Sequence, residues 1–176
     1  MRKLYKKKNI KIGILGGTFD PPHKGHLHIS KVALRKLKLT KLLWVITKKN
    51  PLKRKSYLSL KIRTTLAKKI TSRERKIYVR YYDDKVKSAN TFKILNYIKK
   101  KNMKAKIFFL IGADNLKKFH KWKNWKEIPK FAKIVIFPRK NYSVNSIASK
   151  KLDKRDLMYI KSKKINISSS LIRKFW

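Results

Sequence analysis

Cysteine is absent from the 176 residues, glycine and proline number five each, and only 8 positions are Asp or Glu. Without thiols there is no disulfide framework, no cysteine-based zinc site and no thiol nucleophile, which fits a reducing compartment. The four histidines, at 23, 26, 28 and 120, are too few to build a closed structural zinc site on their own, so no metal site is expected. Long hydrophobic runs are missing too. The longest, Ile107 to Ala113, is far short of the roughly 20 residues a membrane span needs. The opening MRKLYKKKN is basic like the start of a secretion signal, but Ile12 to Gly17 is too short and too glycine-rich to continue one. A soluble, cytoplasmic chain with no membrane partner is the expectation.

What is abundant is positive charge: 51 Lys and Arg give a formal net charge of +43. Such an excess suggests either a disordered polycation or a nucleic-acid binder. Disorder is excluded by the apolar content, because Leu, Ile, Val and Phe occupy 52 positions, well above the roughly 20% below which a highly charged chain cannot collapse. A single domain spanning 1–176 is expected at this length. A dedicated nucleic-acid interface is disfavoured because only ten of the cations are Arg, and the Lys are spread along the whole chain.

Short β-branched and aromatic runs alternate with segments of helical period, the pattern of a βαβ architecture. Strands are predicted at Ile10–Leu15, Leu42–Thr47, Ile77–Tyr82, Ile107–Ile111 and Lys133–Phe137, with a weaker one at Lys164–Ile167. Apolar stripes predict helices near 25–38 (Ile29, Val32, Ala33, Leu37), 59–71 (Ile62, Leu66, Ile70) and 91–101 (Ile94, Leu95, Ile98). The fold class is α/β: a Rossmann-like, doubly wound, mainly parallel sheet of five to six strands with helices on both faces. The segments 48–57 and 139–163 are weakly patterned and read as long loops.

The first strand runs into Gly16-Gly17-Thr18-Phe19-Asp20-Pro21-Pro22-His23-Lys24-Gly25-His26, followed at once by an amphipathic helix. A strand-to-helix crossover places a helix N-terminus, with its unpaired N–H groups, where an anion is attracted. Gly16 and Gly17 let the backbone approach a phosphate, and two imidazoles three residues apart on a first turn face the same way. His23 and His26 are therefore candidates for hydrogen bonding to a phosphate whose charge shifts during reaction. Further along, Asp114 follows Gly112 at the end of a strand, where it could accept ribose hydroxyls or cap the next helix. Ser168–Ser170 could present hydroxyls to phosphate, with Arg173 one turn on, or serve as a plain helix cap. Trp122 and Trp125 are core aromatics or ligand contacts.

The string GGTFDPPHKGHL resembles the signature of the His-x-Gly-His nucleotidyltransferases, and of bacterial nicotinate-nucleotide adenylyltransferases in particular. Asn50-Pro51-Leu52-Lys53, Thr91 at a helix start, Gly112-Ala113-Asp114 followed by Trp122, Phe137-Pro138-Arg139 and Ile167-Ser168-Ser169-Ser170-Leu171-Ile172-Arg173 resemble that family's later motifs, in order. Asn90 stands where the family has Tyr, Lys140 where Pro follows the Arg, and Ser170 where Thr is usual. The resemblance implies transfer of AMP from ATP, taken with Mg²⁺, to nicotinate mononucleotide. It implies His23 and His26 as catalytic groups. ATP would be bound by them with Gly16, Gly17, Thr18, Phe19, Gly112, Asp114, Ser169, Ser170 and Arg173, and the mononucleotide by Thr18, Lys53, Thr91, Trp122 and Arg139. Alternatives are a sister transferase with another phosphorylated acceptor such as phosphopantetheine, or a basic nucleic-acid-associated protein on the same fold. Monomer and homo-oligomer are equally open.

Overall fold

The alternation read from the sequence becomes a six-stranded parallel sheet in the computed structural model, which describes residues 9–49, 55–139, 141–162 and 167–176. The strands are β1 (Lys11–Gly17), β2 (Lys41–Ile46), β3 (Ile77–Tyr81), β4 (Lys106–Gly112), β5 (Lys133–Phe137) and β6 (Leu157–Tyr159). Their order is β3-β2-β1-β4-β5-β6, and every neighbouring pair is parallel. The helices are α1 (Lys24–Lys36), α2 (Leu60–Thr71), α3 (Asp83–Val86), α4 (Thr91–Lys101), α5 (Ala113–Lys118), α6 (Ile147–Lys151) and α7 (Ser169–Ile172).

Side chains alternate across the strands, so both faces are apolar and both are covered. Ile12, Ile14, Phe109 and Ile111 pack with Ile94, Leu95 and Ile98 of α4. Leu15, Trp44, Phe108 and Leu110 pack on the opposite face with Val32 and Ala33 of α1 and Ala67 of α2. This is why β1, β2, β4 and β5 read as continuous apolar runs, whereas β3 at the sheet edge alternates between buried and exposed residues. Among the described residues no helix is long and apolar enough to cross a membrane.

Two expectations are corrected. The sixth strand is Leu157–Tyr159, inside the segment read as a loop, which also holds α6. Of the weak strand expected at Lys164–Ile167, residues 164–166 lie outside the described residues, and Ile167 belongs to no strand. In α2 the inward face is Arg63, Ala67 and Thr71, whereas Ile62 is exposed. The stripe is shifted by one position because the Arg63 guanidinium has inward partners, and because the small Ala67 and Thr71 let α2 lie close to the sheet.

The strand order reverses direction between β1 and β4, and an open parallel sheet binds ligands at the carboxyl ends on either side of such a reversal. Gly17 closes β1 and Gly112 closes β4, so both glycine-bearing motifs arrive at that one edge.

Candidate active site

A cleft of about 910 Å³ opens at this edge. Its walls carry Gly16, Gly17, Thr18, Phe19, His23 and His26 from the first crossover, Thr91 from α4, Asp114 and Trp122 from the region after β4, Arg139 after β5, and Ser169 and Ser170 of α7. Residues as far apart in the chain as Gly16 and Ser170 are thus brought together. Gly112 and Arg173 are not among the lining residues, and Lys53 lies outside the described residues.

The geometry of the histidines follows from helix capping. His23 is the N-cap of α1, and its Nδ1 accepts the Gly25 N–H at 3.1 Å. His26 reaches back so that its Nδ1 accepts the His23 N–H at 3.2 Å, completing a reciprocal capping box. A ring nitrogen that accepts a hydrogen bond carries no proton, so each neutral imidazole holds its proton on Nε2, the opposite edge. The rings sit 3.8 Å apart between centroids. Burial, and then the charge of Arg139, push the pKa of His23 down to about 4, so it is a neutral donor throughout the physiological range. A Cβ at position 25 would come within 2.9 Å of the His23 ring and of Ile167, so Gly25 is there because nothing larger fits.

A layer beneath holds His26. Phe19 stacks on Trp44 at 4.9 Å and packs against His26 at 4.8 Å. Trp44 Nε1 donates to Ser30 Oγ at 2.8 Å, and Ser30 Oγ donates to the His26 carbonyl at 2.8 Å. Phe19 adopts a left-handed backbone with φ of 49°, which costs a non-glycine residue on the order of 1 kcal/mol and is sustained by this packing.

On the facing wall, Arg139 Nη1 donates to Asp114 Oδ2 at 2.7 Å. Asp114 Oδ1 is buried with no hydrogen-bond partner among the described residues, and it lies 2.4 Å from where a Cβ on Gly112 would stand, which explains that glycine. The N-cap of α5 is Gly112, so the capping role considered for Asp114 is not the one it plays. Asn90 caps α4, its Oδ1 accepting the Phe92 N–H at 2.9 Å, which gives the family departure at this position a local purpose and leaves Thr91 first in the helix. Trp122 packs edge-on against Phe109 and tilted against Phe119, and it lines the cleft. Trp125 packs on Phe119 behind it and does not.

The last turn closes the cleft across the chain. Ser169 Oγ donates to the Pro21 carbonyl at 2.8 Å, and Arg173 donates to the Asp20 carbonyl while its guanidinium lies 4.5 Å from the centre of the Tyr57 ring. Ser168 is the N-cap of α7, accepting from Leu171 N–H at 3.0 Å. Lys49, Lys93, Lys118, Lys121 and Lys123 add charge around the opening, against a single lining acid, Asp114. The sequence reading passed over Trp44 and Ser30 as supports of His26, and over Arg63. Ser30 alone gave a signal, a polar residue on a helix face otherwise due to be buried.

A doubly wound parallel sheet with paired imidazole donors at the first crossover, and a cationic, hydroxyl-bearing cleft at its reversal point, defines a nucleotide-handling transferase site. The cytidylyltransferase-like family model matches residues 14–175. Curated relatives include a Pelagibacter ubique (strain HTCC1062) protein named "probable nicotinate-nucleotide adenylyltransferase", 47% identical over 96% of this chain and 94% of its own. One of the same name from Agrobacterium fabrum is 36% identical over 78% of this chain and 74% of its own. In fold, the chain is similar to a Plasmodium falciparum nicotinic acid mononucleotide adenylyltransferase solved with NaAD, with a TM-score of 0.76, 21% identity and coverage of 95% and 84% of the two chains. The chain belongs to the cytidylyltransferase-like family, within its nicotinate-nucleotide adenylyltransferase branch.

Proposed function

We propose that this chain is a single-domain nicotinate-nucleotide adenylyltransferase, joining AMP from ATP to nicotinate mononucleotide and releasing pyrophosphate. The observation that carries the reading is the capped histidine pair: two imidazoles whose Nδ1 atoms accept backbone N–H groups, leaving Nε2 to donate, on the wall of a cleft that also carries Thr91, Asp114, Trp122, Arg139, Ser169 and Ser170.

An oxygen of the mononucleotide phosphate attacks the α-phosphorus of ATP in line. The bond from that phosphorus to the bridging oxygen breaks, and pyrophosphate leaves with the electron pair. No covalent enzyme intermediate is needed, so the protein contributes position and charge stabilisation. His23 and His26 donate through Nε2–H to the triphosphate as its charge redistributes. Gly16 and Gly17 leave the backbone open beside Thr18, Phe19 supports His26, and Ser169 and Ser170 offer hydroxyls. Arg173 holds the α7 turn in place. Asp114, its carboxylate held by Arg139 and lodged against Gly112, serves the ribose of ATP. Thr18, Thr91, Trp122 and Arg139 serve the mononucleotide, with Trp122 against the pyridine ring.

ATP is taken as its Mg²⁺ complex, and the metal belongs to the substrate. Among the described residues no group of three His, Cys, Asp or Glu could hold a cation, and the one lining acid is engaged by Arg139. The test is pyrophosphate release with ATP and, separately, nicotinate mononucleotide, nicotinamide mononucleotide and phosphopantetheine, with product masses. Nicotinate adenine dinucleotide as the main product supports the reading. Turnover with phosphopantetheine alone, or none with any acceptor, contradicts it.

A further inference from the structure

Arg63 is 1% exposed on the inner face of α2 and does not line the cleft. A buried guanidinium is expensive unless its donors are matched, and here four bonds are made. Nη1 donates to the carbonyls of Thr18 at 2.5 Å and Thr47 at 2.8 Å, Nη2 to Lys48 at 3.0 Å, and Nε to Leu58 at 3.1 Å. These acceptors belong to three separate pieces of chain: the turn after β1, the exit from β2 and the approach to α2. Two buried carboxylates complete the arrangement. Asp20 accepts the N–H groups of Tyr57 and Leu58 at 2.8 and 2.9 Å, and Asp83 accepts that of Lys48 at 2.7 Å. Both acids stabilise the Arg63 charge against burial, which on its own lowers the guanidinium pKa.

For packing alone, position 63 needs no charge, because Ala67 and Thr71 make the same helix face lie against the sheet. A planar fork is what the three segments share. Thr18, Thr47 and Lys49 all line the cleft, and each is within one residue of an atom that Arg63 holds. Lys49 lines the same cavities as Ser88 and Ala89, which lead into Thr91. We infer that Arg63 is a positioning residue for the transfer reaction, setting the turn after β1 and the exit of β2 at a fixed separation so that the acceptor side of the cleft keeps its shape. The inference rests on the function proposed above. The histidine wall that faces ATP is held independently, by the hydrogen bonds of the α1 cap among His23, Gly25 and His26.

The test compares wild type with Arg63→Lys, which keeps the charge but loses the fork, and with Arg63→Met. Thermal unfolding selects whichever variants fold. In a folded variant the KM for nicotinate mononucleotide is expected to rise about tenfold or more, with the KM for ATP within about threefold of wild type. Hydrogen exchange at the Lys48, Tyr57 and Leu58 amides is expected to accelerate at least tenfold, while Gly25 and His26 exchange as before. Equal rises in both KM values would reduce Arg63 to a general stabiliser and overturn the proposal, as would unchanged exchange at those three amides. If wild type does not use nicotinate mononucleotide, the functional reading fails, and the exchange measurement on Arg63→Lys still decides whether the clamp exists.

Discussion

The histidine turn and the C-terminal turn meet on the same few residues of backbone, but they are secured in different ways. His23, Gly25 and His26 bind one another across two or three residues, and a stacked aromatic layer lies beneath them. Ser169 and Arg173 are tied to Pro21 and Asp20 across about 150 positions, by one hydroxyl and one half-exposed guanidinium. The first arrangement forms once α1 forms, and its donors are oriented before any ligand arrives. The second exists only when the whole sheet is assembled, and few contacts hold it. Preorganisation therefore resides in the helix cap, and the closing turn is the adjustable side of the cleft.

Breaking the rigid side has the largest expected effect. His26→Ala removes one Nε2 donor and is expected to lower kcat by about 10³-fold, the scale for a lost charge-stabilising donor, while ATP affinity changes little. Single-turnover assays and ATP titration check the split. A variant with wild-type kcat would place the chemistry elsewhere.

The low pKa of His23 gives the next effect. The unfolded chain binds a proton near pH 6.5, whereas the folded state resists until about pH 4. The unfolded state thus holds more protons between these values, so stability is complete above pH 6.5 and falls as pH drops toward 4, by on the order of 3 kcal/mol from this group. His23→Asn keeps a capping side chain and removes the titration. Denaturant unfolding between pH 4.5 and 7.5 should show a shallower slope in the variant, and identical slopes would contradict the assignment.

The adjustable side is sharpened by Arg173→Met, which cuts the tie to Asp20. A rise of about tenfold in KM for ATP is expected, roughly the 1.4 kcal/mol of one charge-assisted hydrogen bond, with little change in kcat. Steady-state kinetics at saturating mononucleotide reads this out. A fall in kcat as large as that of His26→Ala would erase the distinction between the two sides.

The same contrast explains what the sequence could show. β1, β2, β4 and β5 were legible because each is a local apolar run buried on both faces. β3 was legible because β-branched and aromatic residues mark a strand, although it alternates between buried and exposed positions, and α4 because its apolar stripe repeats at helical spacing. β6 was not, since it has three residues at the sheet edge and only Leu157 is buried. His23 and His26 were legible because their partners lie within three residues. Ser169 and Arg173 were readable as phosphate candidates from a serine-rich helix start and from motif resemblance, but their actual partners, the carbonyls of Pro21 and Asp20, carry no side-chain signature. Arg63 was hidden for another reason: a cation beside Ile62 in a Lys-rich helix reads as solvent-facing, and only the four converging carbonyls reverse that. The charge of +43 offered little beyond a positive setting, in which Lys49, Lys93, Lys118, Lys121 and Lys123 favour anionic nucleotides at the cleft.

The central claim is that the transfer relies on two imidazoles whose Nδ1 atoms accept in the helix cap, which leaves Nε2 as the donor in each. Nitrogen-15 NMR of histidine-labelled protein, titrated from pH 8 to pH 4, tests it directly. His23 and His26 are predicted to show the Nε2–H tautomer at pH 7, with His23 staying neutral until the pH approaches about 4. An Nδ1–H tautomer in either ring, or a His23 midpoint at or above its ordinary 6.5, would contradict the account.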